Sequence, residues 1–205
     1  YGDHRDLHLS LRRQRQMCIR DSLKISKELI SESEIQSKIN EIGDQINEDY
    51  EGQDLLIIGI LKGAFITISD LAKRLKVDVS FDFMSVSSYE GTETSGQVKI
   101  EKDLDIDISG KNILIVEDIF DTGLTLSYLK KILDSRNPKS LEFMCMFIKD
   151  TDKTTSLDIK YHGFKIGPEF VVGYGLDFEG KYRDCLLYTS DAADEGLGVD
   201  LGGRR

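Results

Sequence analysis

Ile113-Leu114-Ile115-Val116-Glu117-Asp118-Ile119-Phe120-Asp121-Thr122-Gly123-Leu124-Thr125 decides how this chain is read. A continuous apolar run of this length predicts a strand buried on both faces. The expected elements are a strand over 112–117, a loop over 118–123 and a helix over 124–133. Two adjacent acids, Glu117 and Asp118, close the strand. Their carboxylates suit a pair of hydroxyls or a metal ion that bridges them. Asp121 follows three residues later, then a hydroxyl, a glycine and a second hydroxyl at the helix start. A helix N-terminus offers free N–H groups and a positive dipole end, which favour a phosphate. Thr122 and Thr125 can donate further hydrogen bonds, and Gly123 lets the backbone come close to the anion. The bland alternative is a strand-to-helix turn with Asp121 or Thr122 as a simple N-cap. A Walker loop is excluded, because its Gly-Lys-Ser/Thr ending is missing.

Working outward, a second apolar strand is expected over 55–60, followed by Leu61-Lys62-Gly63 and a helical pattern through Phe65, Ile68, Leu71, Ala72 and Leu75. Upstream, Ile35, Ile39, Ile42 and Ile46 recur with the helical period, and Ser31 with Glu34 fits a capping box. Residues 79–86 alternate as a strand. Residues 87–96 are polar and glycine-flanked, as in a loop. A return strand over 98–102 and strands over 141–149, 161–164 and 170–174 complete the pattern. Apolar strands interleaved with helices predict an α/β fold, a mostly parallel twisted sheet flanked by helices. Ligands on such sheets bind at the carboxyl ends of the strands, which points to the loops after Ile60, Val116, Phe147 and Tyr174.

The 205 residues carry a formal net charge of −10, which argues against a general nucleic-acid binder. No apolar run approaches the roughly 20 residues of a membrane span, and no signal peptide is visible. Cys18, Cys145 and Cys185 are too few and scattered for a disulfide framework or a zinc site, which leads to the expectation of a cytoplasmic protein. Cys145, inside Phe143-Met144-Cys145-Met146-Phe147, reads as a buried core thiol. His4, His8 and His162 are given no catalytic part, and His162 reads as a strand-edge or core residue. Residues 1–22 and 185–205 break the patterning and read as non-native or disordered ends around a domain over 23–184.

The 113–125 stretch resembles the PRPP-binding signature of type I phosphoribosyltransferases, where PRPP is 5-phosphoribosyl-1-pyrophosphate. Leu61-Lys62-Gly63, Ser88-Tyr89, Lys149, the run Phe170-Val171-Val172-Gly173-Tyr174-Gly175-Leu176-Asp177 and Lys181-Tyr182-Arg183-Asp184 extend the likeness in order. Together they are similar to the bacterial hypoxanthine (hypoxanthine-guanine) phosphoribosyltransferases, from about Leu23 to Asp184. The resemblance implies a type I phosphoribosyltransferase fold with a small base-covering hood subdomain. It implies purine salvage, in which PRPP and hypoxanthine or guanine give IMP or GMP and pyrophosphate. Homologous readings for another base (xanthine or a pyrimidine), or for a PRPP-binding regulatory protein of the same fold, stay open.

The same resemblance implies a role for each residue. Glu117 and Asp118 hold the ribose hydroxyls, directly or through Mg²⁺, with Asp177 as a ligand of a second magnesium. Asp121 is the general acid/base near purine N7, and Asp121, Thr122, Gly123, Leu124 and Thr125 cradle the 5′-phosphate. Lys62 and Gly63 form the pyrophosphate loop, with a cis peptide before the lysine, and Arg183 contacts pyrophosphate. Lys149 bonds the exocyclic O6, Phe170 stacks on the base, and the backbone at Val171 reads the base edge. Ser88 and Tyr89 begin a lid over 88–96. A homodimer or homotetramer is implied, with no nucleic-acid or membrane partner. A short hydrophobic strand is implied after Asp184, where this chain has Leu186, Leu187 and Tyr188 to take its place.

Overall fold

The computed structural model describes residues 25–88, 98–150 and 157–190. They divide into two compact units, Glu32–Pro168 and the flanking residues 25–31 with 169–190. Tyr89, most of the expected lid, residues 1–22 and the chain beyond 190 lie outside the described residues.

The larger unit opens with α1 (Glu32–Asp49), which starts directly after Ser31. Its buried face is Ile35, Ile39, Ile42 and Ile46, the stripe read from the sequence. Then follow β2 (Leu55–Leu61), α2 (Phe65–Ala72), β3 (Val79–Ser88), β4 (Val98–Lys102), β5 (Asn112–Phe120), α3 (Leu124–Asp134), β6 (Ser140–Lys149) and β7 (Tyr161–Ile166), β1 belonging to the smaller unit. The six strands form one sheet in the order β4-β3-β2-β5-β6-β7. Only the β3–β4 hairpin is antiparallel, and every other neighbouring pair is parallel. The chain runs outward from β2 through β3 and β4, then returns to β5 on the other side of β2. The crevice between the carboxyl ends of β2 and β5 is therefore the switch point at which such sheets bind ligands.

Leu56, Ile58, Ile60, Ile113, Ile115 and Phe143 pack with Leu126, Leu129 and Leu133 of α3 in one core. Each fully buried Leu or Ile of this kind contributes roughly 1.5–3 kcal/mol. Cys145 is a buried free thiol in the same cluster. At the amino-terminal end of the central strands, the Asn112 side-chain amide donates to Asp54 O (3.0 Å) and accepts from Ser140 Oγ (3.0 Å), tying together the starts of β2, β5 and β6. Buried Asp82 on β3 accepts the backbone N–H of Asp105 (2.8 Å) and Ile106 (3.0 Å), which steers the chain from β4 back toward β5. His162 is an exposed residue of the edge strand β7.

The smaller unit is a three-stranded antiparallel sheet in the order β1-β9-β8, made of β1 (Ile25–Ile30), β8 (Val171–Val172) and β9 (Leu187–Ser190). Strand β8 is shorter than the expected strand over 170–174, because the backbone turns back at Gly173, whose N–H donates to Leu176 O at 3.0 Å. Strand β1 was not expected from the sequence, whereas β9 falls where the resemblance implied a short strand after Asp184. Irregular register between Ile25 and Lys27 and between Glu28 and Ile30 removes the alternation that would announce β1. Strand β9 lies beyond Asp184 and takes the central place in this sheet. Among the described residues no helix is long and apolar enough to cross a membrane.

Candidate active site

Strand β5 runs three residues further than the sequence suggested, because its ladder with β6 continues through Phe120↔Ile148. Asp118, expected in a loop, is therefore held in the strand like Glu117, and the two side chains lie on opposite faces of the sheet. Asp118 is buried, and its Oδ1 accepts the Ile119 N–H at 2.8 Å. Glu117 Oε2 is shut from solvent and has no hydrogen-bond partner among the described residues. Burial pushes the Glu117 carboxyl well above the usual carboxylate range, and the neighbouring Asp118 adds repulsion.

The unpartnered Glu117 oxygen fits a hard cation. Magnesium takes one or two protein carboxylates and fills its other positions with water and substrate oxygens. Among the described residues no three His, Cys, Asp or Glu side chains converge as a metal cage.

After Phe120 the chain turns into α3 through Asp121, Thr122 and Gly123. Gly123 is the N-cap residue, with φ of 74°, and no side chain caps the helix. That disposes of the reading in which Asp121 or Thr122 is a mere N-cap. Thr122 Oγ1 only accepts a long bond from Leu124 N (3.4 Å). The first turn of α3 keeps its N–H groups for an anion, as its dipole favours. A hollow of about 190 Å³ is lined there by Glu117, Asp121, Thr122, Gly123 and Thr125. Leu124 is exposed.

The loop after β2 stands against these acids. The Leu61–Lys62 peptide is cis, the isomer that the resemblance implies, and Lys62 is exposed. Gly63 is buried so close to Asp118 that a Cβ there would lie 1.7 Å from Oδ2. Across the sheet, Lys149 ends β6 and places its Nζ 3.5 Å from Asp121 Oδ2. Lys62, Gly63, Glu117, Asp118, the 121–125 turn and Lys149 are thus assembled at one end of the larger unit. Neither the Gly63–Asp118 contact nor the Lys149–Asp121 pair was foreseen. The signal for both is strand register, which single-sequence patterns do not carry. Ser88 ends β3, and the lid beyond it lies outside the described residues.

The other expected residues belong to the smaller unit. Phe170 meets Phe178 edge-to-face at 5.9 Å, and Val171 is buried in β8. Asp177 receives the Gly180 N–H (2.7 Å) and pairs with Arg183 (2.5 Å), while Arg183 also donates to Gly175 O (2.6 Å). These contacts fold the 173–183 segment onto itself, a function for Asp177 and Arg183 that the sequence did not suggest.

The family described as "Phosphoribosyl transferase domain" matches residues 27–179. The hypoxanthine-guanine phosphoribosyltransferase of Mycobacterium tuberculosis is 48% identical over 167 residues, spanning 78% of this chain and 83% of that protein. The Staphylococcus aureus protein of the same name is 46% identical over 157 residues, 76% of this chain and 88% of its own. A crystal structure of a hypoxanthine-guanine phosphoribosyltransferase from Bacillus anthracis superimposes with a TM-score of 0.77 at 43% identity, covering 81% of this chain and 99% of the other. With the signature turn, the switch-point crevice and a family match over residues 27–179, the chain belongs to the phosphoribosyl transferase domain family.

Proposed function

We propose that this protein is a purine-salvage enzyme that transfers the 5-phosphoribosyl group of PRPP to N9 of hypoxanthine or guanine. The observation that carries this reading is the uncapped helix N-terminus beside the Asp121–Lys149 pair at the end of β5. In the proposed step the N9 lone pair forms the bond to ribose C1. The C1–O bond to pyrophosphate breaks, and its electrons leave with pyrophosphate. The proton lost by the base, at N7, passes to the Asp121 carboxylate, an assistance typically worth 10²–10⁴-fold.

The other residues act by binding and orienting. The turn from Asp121 to Thr125 receives the 5′-phosphate through backbone N–H groups and the two threonine hydroxyls. Lys62 and the Gly63 backbone take the pyrophosphate, with Arg183 as a further contact. Lys149 donates to O6, and Phe170 and Val171 receive the base. Glu117 and Asp118 would hold one Mg²⁺ and Asp177 a second, and when bound the metal offsets charge on the leaving pyrophosphate. Ser88 and Tyr89 open a lid that keeps water from the reacting carbon. A cytoplasmic homodimer or homotetramer is the working form we propose.

The test is pyrophosphate release from PRPP and Mg²⁺, with hypoxanthine, guanine, xanthine, adenine or uracil supplied singly. Release with hypoxanthine or guanine alone is the expected result. Release only with xanthine or uracil would overturn the base assignment and keep the transfer chemistry. No release with any base, together with PRPP binding, would favour a regulatory protein of this fold.

A further inference from the structure

We infer that Lys149 is the positioning residue for Asp121 as well as a contact for the base, an inference that rests on the transferase reading above. The argument begins with register. In the parallel ladder of β5 and β6, Glu117 faces Cys145, Ile119 faces Phe147 and Phe120 faces Ile148. One step further, residue 121 falls opposite residue 149, at the point where β5 has given way to the turn. Side chains directly opposed in a ladder project to the same face. The Asp121 carboxylate and the Lys149 ammonium are thus neighbours by construction, and they meet at 3.5 Å.

The two sides of the pair differ in rigidity. Lys149 is paired with Ile166 on β7, and the next N–H, of Asp150, donates to Ile166 O at 3.1 Å. Its side chain is only 15% exposed, so the stem is packed and the ammonium is aimed. Asp121 stands on a turn with a side chain 49% exposed. Among the described residues, Lys149 is the one cation within ion-pair distance of this carboxylate. Its position fixes which oxygen faces away and is left to accept a proton. An ammonium has three donors, so one can hold Oδ2 while another reaches a carbonyl oxygen of the base. Lys149 therefore links base recognition to the proton acceptor without having to release either.

A double-mutant cycle tests this. With hypoxanthine and saturating PRPP, Lys149→Gln is expected to lower kcat about tenfold and to leave the PRPP KM unchanged, while Asp121→Asn lowers kcat by roughly 10²-fold. If Lys149 acts through Asp121, the double variant stays near 10²-fold, because the lysine has nothing left to position. Lys149→Arg, which keeps a cation beside Asp121, is expected to recover at least about threefold of the kcat lost in Lys149→Gln. Effects that multiply to about 10³-fold in the double variant would overturn the inference while leaving the transferase reading intact. So would a Lys149→Gln enzyme whose base KM rises at constant kcat. Near-wild-type turnover by Asp121→Asn would remove the role given to Asp121 itself, and this inference with it.

Discussion

Replacing Gly63 by alanine is a one-carbon probe of the β2–β5 crevice. The added Cβ would lie 1.7 Å from Asp118 Oδ2, 2.3 Å from its Cγ and 2.8 Å from Oδ1. Real Cβ contacts essentially never fall below 3.0 Å, so the two groups must separate by at least 1.3 Å. Neither can yield freely. Asp118 is buried and bonded to the Ile119 N–H, and the next residue after Gly63, buried Ala64, donates to Ile60 O at 3.2 Å. The displacement is therefore shared, and the carboxylate moves by something near 1 Å. A misplacement of about 1 Å in a reacting constellation costs about 10²-fold in rate. We expect Gly63→Ala to lower kcat/KM for PRPP by about that factor. Overpacking should cost roughly 1–3 kcal/mol of stability, or about 2–12 °C in Tm for a domain of this size. Pyrophosphate release at varied PRPP, beside a thermal melt of the same preparation, reads both. A variant with kcat/KM within threefold of wild type and an unchanged Tm would refute the close packing of the loop on Asp118.

Two further predictions concern groups away from the chemistry. Asp82→Ala removes the buried acceptor of the part-buried Asp105 and Ile106 N–H bonds, so unfolding free energy should fall by roughly 1–3 kcal/mol with kcat retained once folded. A loss below about 0.5 kcal/mol by urea titration would contradict that. Asp49 accepts a 2.6 Å bond from Tyr161 and an ion pair from Lys160 at 2.9 Å; first the tyrosine bond and then the lysine hold its carboxyl below the usual range. A depressed carboxyl pKa stabilises the fold above its unfolded value and loses that effect as pH falls through the folded value. Wild type should therefore exceed Asp49→Asn by less than about 1 kcal/mol at pH 7, with the gap closing below about pH 4. A gap that widens in acid would reverse the assignment.

Much of this architecture is legible in the sequence where a residue's own neighbours determine its state. Ile35 to Ile46 mark a helix because four isoleucines on one face require burial, and they are buried. The runs 55–60 and 112–117 read as strands because they are apolar without a break. Legibility fails where a partner distant in sequence decides. Strand β1 exists because β9 pairs with it, and its own irregular register hides the alternation. The end of β5 was read too early because Asp118 after Glu117 looks like the start of a loop, yet the ladder with β6 continues through Ile119 and Phe120. Asp177 and Arg183 were read as ligand contacts, while their bond to each other comes from the fold of the 173–183 segment.

The site itself is a consequence of constant register. Along β5 and β6 the paired residues are separated by 28 positions, as in Glu117↔Cys145 and Phe120↔Ile148. Along β2 and β5 the separation is 57, as in Leu56↔Ile113 and Gly59↔Val116. Carried forward, the first rule sets Lys149 beside Asp121, and the second sets Leu61 beside Asp118, with Gly63 two residues on. A slip of one residue in either ladder would turn every one of these side chains to the other face. The apolar residues that lock the two ladders, among them Ile58, Ile115 and Phe143 in the α3-facing core, therefore determine the geometry of groups they do not touch. Packing and chemistry are linked here through register. A core substitution that preserves total stability but loosens β5 against β6 should lower turnover before it lowers Tm.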